Sequence, residues 1–134
     1  MAKLIEVEGI GEVYAQKLGT VGIKTLASLL KKGGTPEGRK ELAAKSGIAD
    51  ELILEWVNHA DLFRIKGIGG EYADLLEEAG VDTVVELSKR NADNLAAKVA
   101  QINTEKKLVR RVPSLKQVTR WIEEAKTLQR AVRY

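Results

Sequence analysis

Residues 7–18 read VEGIGEVYAQKL, and residues 65–76 read IKGIGGEYADLL. Shifted by 58 positions, Gly9 falls on Gly67, Ile10 on Ile68, Gly11 on Gly69, Tyr14 on Tyr72, Ala15 on Ala73 and Leu18 on Leu76. The register continues through Gly22 and Gly80, Thr25 and Thr83, Leu29 and Leu87. A run of matches at one offset marks an internal duplication. Further along, ELAAKSGI at 41–48 resembles NLAAKVAQ at 94–101, and Trp56 corresponds to Trp121 at an offset of 65. The second copy therefore carries an insertion, expected around NTEKKLVRR at 103–111.

Each copy reads as helices only. Behind Gly11, the apolar residues Val13, Tyr14, Ala15, Leu18 and Val21 recur at helical spacing. Gly22 ends that helix and Thr25 caps the next one. Thr83 and Glu86 have the spacing of a capping box, and so do Ser114 and Gln117. KKGGTP at 31–36 reads as a turn with Pro36 at a first helical position. Gly47 reads as a helix stop and Asp50 as the cap of a helix carrying Leu52, Ile53, Trp56, Val57 and Ala60 on one face. The last stripe is Leu115, Val118, Trp121, Ile122, Ala125 and Leu128. Little or no strand is expected, since no segment alternates with period two.

The expected fold is all-α, in two tandem units of about five short helices each, residues 1–62 and 63–134. A chain of 134 residues with 44% apolar side chains can build such cores, and 31% charged residues keep it in solution. No apolar run approaches the roughly 20 residues that cross a bilayer, and the N-terminus lacks a secretory pattern. A cytoplasmic location is the expectation, with no membrane partner. The chain has no cysteine and one histidine, His59, so thiolate metal sites and hydrolytic triads lack their usual parts. His59 reads as a boundary residue of its helix. No enzyme, no cofactor, no metal and no small-molecule substrate are expected.

The motif itself has a known likeness. Val7-Glu8-Gly9-Ile10-Gly11, followed by Tyr14-Ala15 and Leu18, resembles the helix-hairpin-helix motif; Ile65-Lys66-Gly67-Ile68-Gly69 through Ala73 and Leu76 resembles it too. Two such units, each with extra helices, are similar to an uncharacterised bacterial family known only as a domain of unknown function. The resemblance covers nearly the whole chain. It implies small orthogonal helical bundles of the SAM-like kind. It also implies contact with DNA phosphates without sequence readout, or else use of the scaffold to hold other proteins.

The physics behind the DNA expectation is plain. A helix that opens just after a glycine corner leaves its first N–H groups without intrahelical acceptors. Those groups and the positive end of the helix dipole hold a phosphate oxygen. Charge separates the two copies. Residues 1–62 carry 8 Lys and Arg against 9 Asp and Glu, net −1, and residues 63–134 carry 14 against 10, net +4. Glu6, Glu8 and Glu12 surround the first corner and repel phosphate. Arg64, Lys66 and the additional Gly70 surround the second, although Glu71 and Asp74 follow one turn later.

The candidate nucleic-acid contacts are therefore Arg64, Lys66, Gly67, Ile68, Gly69 and Gly70, with Lys106, Lys107, Arg110 and Arg111 as a basic face if that stretch is helical. Four phosphate contacts would give binding a log–log salt slope of roughly −3 to −4. The competing expectation is a protein-interaction scaffold in which the glycines only make tight corners and the basic stretch only aids solubility. Asp82, beside Thr83, has Lys24 at its matching position, which argues against a catalytic role. Trp56 and Trp121 are expected as core anchors, with Tyr14 and Tyr72 buttressing the helix behind each corner.

Overall fold

A computed structural model describes residues 3–134. Among these residues there are eight α-helices, one 3₁₀ turn at Leu4–Glu6 and no strand, only an isolated bridge between Lys3 and Thr25. The contacts divide the chain into two units. The first runs to Asp61 and takes in Ala131–Tyr134; the second is Leu62–Arg130. The last four residues thus pack with the first unit rather than the second.

The first unit holds α1 (Glu12–Thr20), α2 (Leu26–Gly33), α3 (Pro36–Ser46) and α4 (Asp50–Leu62). The second holds α5 (Gly70–Glu78), α6 (Val84–Ser88), α7 (Ala92–Lys106) and α8 (Leu115–Ala125). The expectation of about five helices per unit is corrected to four α-helices in each. KKGGTP is not one turn throughout: α2 runs through Gly33 and α3 opens at Pro36, leaving only Gly34 and Thr35 between them.

The duplication is reproduced in backbone detail. Gly9 and Gly67 have φ of +95° and +93°, and Gly22 and Gly80 have +87° and +89°, a region that a Cβ disfavours. Thr25 and Thr83 share φ of −134° and −135°, and their side chains accept from the amides of Ser28 and Glu86. Ser114 and Gln117 form a complete capping box. Asp50 is the first residue of α4 rather than its cap, because Ile53 N–H already donates to the Ala49 carbonyl. The extra residues of the second copy lengthen α7 and the segment 107–114 after it.

Each core is closed by the same pair of rings. Trp56 and Tyr14 have centroids 5.0 Å apart, and Trp121 and Tyr72 have centroids 5.1 Å apart. Both tryptophans are buried, so neither is offered for stacking on a base. In the second unit Ile65, Ile68, Leu76, Val118 and Ile122 belong to one apolar cluster with Trp121. In the first unit Ile10, Leu18, Leu29, Leu42 and Ile53 are likewise buried. His59 is buried as well, not at a boundary as its sequence position suggested.

Arg39 is a buried charge in the first unit. Its Nη1 donates to the Gly33 carbonyl and its Nη2 to the Arg133 carbonyl, both at 2.8 Å. The Arg133 amide in turn donates to the Gly34 carbonyl at 2.7 Å, and the Tyr134 hydroxyl lies 3.3 Å from Asn58 Oδ1.

Candidate nucleic-acid interface

The second corner, residues 65–69, is built by two short backbone bonds. Ile65 N–H donates to Leu62 O and Ile68 N–H to Ile65 O, each at 3.1 Å. Gly67 turns the chain where a Cβ would lie 3.3 Å from the Trp121 indole nitrogen. Ile68 points into the core. Its side chain is buried and its amide is already used, so of the candidate contacts it offers neither group to a ligand.

Beyond it, Gly69 caps α5 with extended backbone and no side-chain cap. Nothing lies within 4 Å of a Cβ built there. Gly70 and Glu71 open α5, so their N–H groups have no acceptor within the helix. The first corner repeats this arrangement. Gly11 caps α1 without a side-chain bond, and Ala15 N–H donates to Gly11 O as Ala73 N–H does to Gly69 O. Its flanking residues Glu6, Glu8 and Glu12 are all exposed.

The cations distribute unevenly. Lys66 is exposed at the second corner, but its backbone N–H donates to Glu124 Oε1 at 3.1 Å. A carboxylate from α8 therefore already sits at the corner. Arg64 donates through Nη2 to the Gln129 carbonyl at 2.8 Å.

Lys106 pairs with Glu78 at 2.7 Å, at the far end of α5 from the corner. The hydrogen bond it donates to Glu78, then the Glu78 charge, pushes the Lys106 ammonium above its ordinary range. Lys107 ends α7 in the left-handed region, φ 52°, and residues 108–113 are not helical. The single basic helical face expected for Lys106, Lys107, Arg110 and Arg111 therefore does not form. The i, i+4 spacing is broken at Lys107.

The loop does something else with its arginines. Arg111 O accepts from the Tyr72 hydroxyl at 2.8 Å, and Arg110 Nη2 lies 3.5 Å from Glu71 Oε2. Tyr72 and Glu71 belong to the first turn of α5. The insertion in the second copy thus brings Arg110 and Arg111, both exposed, against side chains of the first turn of α5. Asn103 holds the base of this loop, its Oδ1 accepting from Val109 N–H at 2.9 Å and its Nδ2 donating to Val109 O at 3.1 Å.

Sequence patterns missed Glu124 and Tyr72 as parts of this site. Both act through contacts between residues far apart in the chain. The only local signal was the insertion itself, which had no counterpart in the first copy.

No helix among the described residues is long and apolar enough to cross a membrane. No curated protein and no solved structure matches the chain. A family description does match, over residues 8–128, which takes in both corners, all eight helices and the arginine loop. The protein belongs to the family described as Domain of unknown function (DUF4332).

Proposed function

We propose that the two corners are helix-hairpin-helix motifs, and that the protein is a non-catalytic, sequence-independent DNA-binding module working through the second one. One observation supports the reading: the loop after α7 meets the first turn of α5, with Arg110 beside Glu71 and the Arg111 carbonyl on the Tyr72 hydroxyl, while nothing crowds Gly69. Phosphate then meets backbone N–H donors, a helix dipole and the side chains of Lys66, Arg110 and Arg111 together. Contacts of this kind position a protein on the duplex and carry no base information. The first corner has the same backbone but an acidic rim, so it takes no part.

A second reading has its own support. Glu124 already occupies the Lys66 amide, and the same backbone recurs at the first corner with an acidic rim that repels phosphate. On that reading the module holds another protein and the corners are architecture.

Titration of fluorescein-labelled duplex DNA at two salt concentrations tests the proposal. Three cationic contacts give a log–log slope of roughly −3. Lys66→Glu and the double variant Arg110→Glu with Arg111→Glu should abolish binding, and Lys106→Glu should leave most of it. Absence of binding at low salt, or loss on Lys106→Glu equal to that of the arginine variant, overturns the reading in favour of the scaffold.

A further inference from the structure

The segment Ala131–Tyr134 occupies a built seat on the first unit. Arg39, 5% exposed, donates through Nη2 to the Arg133 carbonyl at 2.8 Å, and Asn58, 8% exposed, accepts from the Tyr134 hydroxyl at 3.3 Å. The Arg133 N–H donates to the Gly34 carbonyl at 2.7 Å, and Val132 is buried. Gly34 has an ordinary φ of −68°, so glycine is needed there for room rather than for conformation. A Cβ would lie 2.6 Å from the Ala131 carbonyl oxygen and 2.8 Å from that of Leu30. With ELAAK at 41–45 set against NLAAK at 94–98, Arg39 falls on Ala92, so the repeat itself does not require this arginine.

The strap and the stretch that leads into it are grouped differently. α8 ends at Ala125, residues 126–130 carry no helix and belong with the second unit, and 131–134 belong with the first. An arm of this kind, reached through a short non-helical linker, is an element that two copies can exchange, because each contact made within one chain is remade identically between two. Only the linker has to change its course. The seat is also open to entry. Tyr134 is 63% exposed and lines a cavity of about 280 Å³ together with Pro36, Lys40 and Leu54.

We propose that this seat takes the Ala131–Tyr134 segment of a second copy, so that two chains hold each other by reciprocal exchange of their straps. The partner copy then supplies the acceptor for the Arg39 guanidinium and the valine that fills the apolar part of the seat. This occupant is the one whose fit the structure displays: a branched aliphatic side chain inside, a backbone amide on Gly34, a backbone carbonyl on Arg39 and a phenol on Asn58. Exchange competes with closure in the same chain, where the strap has a high effective concentration, so pairing rises with protein concentration. The seat lies on the first unit and is independent of DNA contact at the second.

Analytical ultracentrifugation of the full chain over a wide range of concentration tests this. A dimer should appear as concentration rises. Excess peptide QRAVRY, the sequence of residues 129–134, should dissolve it, and the same peptide with Val132→Asp should not. The full chain carrying Val132→Asp should stay monomeric. It should bind fluorescein-labelled QRAVRY at least about tenfold more tightly than the wild type, whose own strap competes for the seat. A circular-dichroism melt verifies that this variant keeps its helices. A wild-type chain that stays monomeric at every concentration, or a dimer indifferent to QRAVRY, overturns the proposal without recourse to any variant. Binding of the peptide by Val132→Asp with no wild-type dimer also overturns it, and gives the seat to an extended segment of another protein.

Discussion

Gly67 and Trp121 are fitted to each other: a Cβ on Gly67 would stand 3.3 Å from the indole nitrogen, and the backbone there has φ +93°. Gly9 and Trp56 repeat the relationship at 3.4 Å and +95°. Alanine at either glycine meets both an unfavourable backbone region and a tight contact. Each Gly→Ala change should cost about 1–3 kcal/mol. Urea unfolding followed by the fluorescence of the remaining tryptophan, in Trp56→Phe or Trp121→Phe backgrounds, reads the effect unit by unit.

Gly69 is the opposite case. Its backbone is extended, its surroundings are open and its helix has no side-chain cap. Gly69→Asp should cap α5 and raise stability by a few tenths to about 1 kcal/mol. The same carboxylate would occupy the amides assigned to phosphate, so DNA affinity should collapse while the melting temperature rises. Gly11→Asp in the first copy gives the control: equal stabilisation and no change in DNA binding.

Glu124 competes with phosphate at the second corner. Glu124→Gln keeps a neutral acceptor for the Lys66 amide and removes the charge. DNA affinity at low salt should improve by about two- to fivefold, the range expected of one partly exposed charge. Fluorescence anisotropy against the wild type measures it, and an unchanged affinity places phosphate elsewhere.

The corners were legible because glycine, a threonine cap and an apolar plug are local requirements, and the offset of 58 displayed them twice. The helices of each unit and the two buried tryptophans followed from the same periodicity. The arrangement around the candidate site was far less legible. Charges at i, i+4 fit a helix, yet Lys107 leaves the helical region and the four cations separate into different surroundings. The bond from Lys66 to Glu124 spans 58 residues and that from Tyr72 to Arg111 spans 39, distances that no local pattern encodes. The close approach at Gly38 was equally hidden, because a glycine inside a run of polar residues looks like any flexible position.

Gly38 is in fact sterically enclosed. A Cβ there would fall 1.8 Å from the Lys32 carbonyl oxygen, which is backbone and cannot swing aside. Gly38→Ala must therefore push α3 away from α2, at a cost of about 3 kcal/mol or more. Thermal melting of the first unit, read through Trp56, should show a loss larger than that of any other single Gly→Ala change outside the corners.

Glu41 gives a pH signature. Lys32 at 2.9 Å and Lys45 at 2.7 Å flank its carboxylate. Hydrogen bonds from Lys32, then Lys45, followed by their charges, hold it at about 2, against an ordinary 4.5. A carboxyl lowered on folding contributes its stability above the ordinary value and loses it as pH falls from about 4.5 toward 2. The group is exposed, so the gain is small and shrinks with salt. Side-chain ¹³C titration should show Lys32→Met moving Glu41 back toward 4.5 further than Lys45→Met does.

The strap at Ala131–Tyr134 bears on how the protein is made. Arg39 and the carbonyl it reaches for are 94 positions apart. A ribosome releases the guanidinium long before its second acceptor exists, so the nascent first unit has Gly33 but not Arg133 to offer Arg39 while the whole second repeat is being synthesised. Biosynthetic order is thereby reversed in effect: the half translated first is the one whose native hydrogen bonding is completed last.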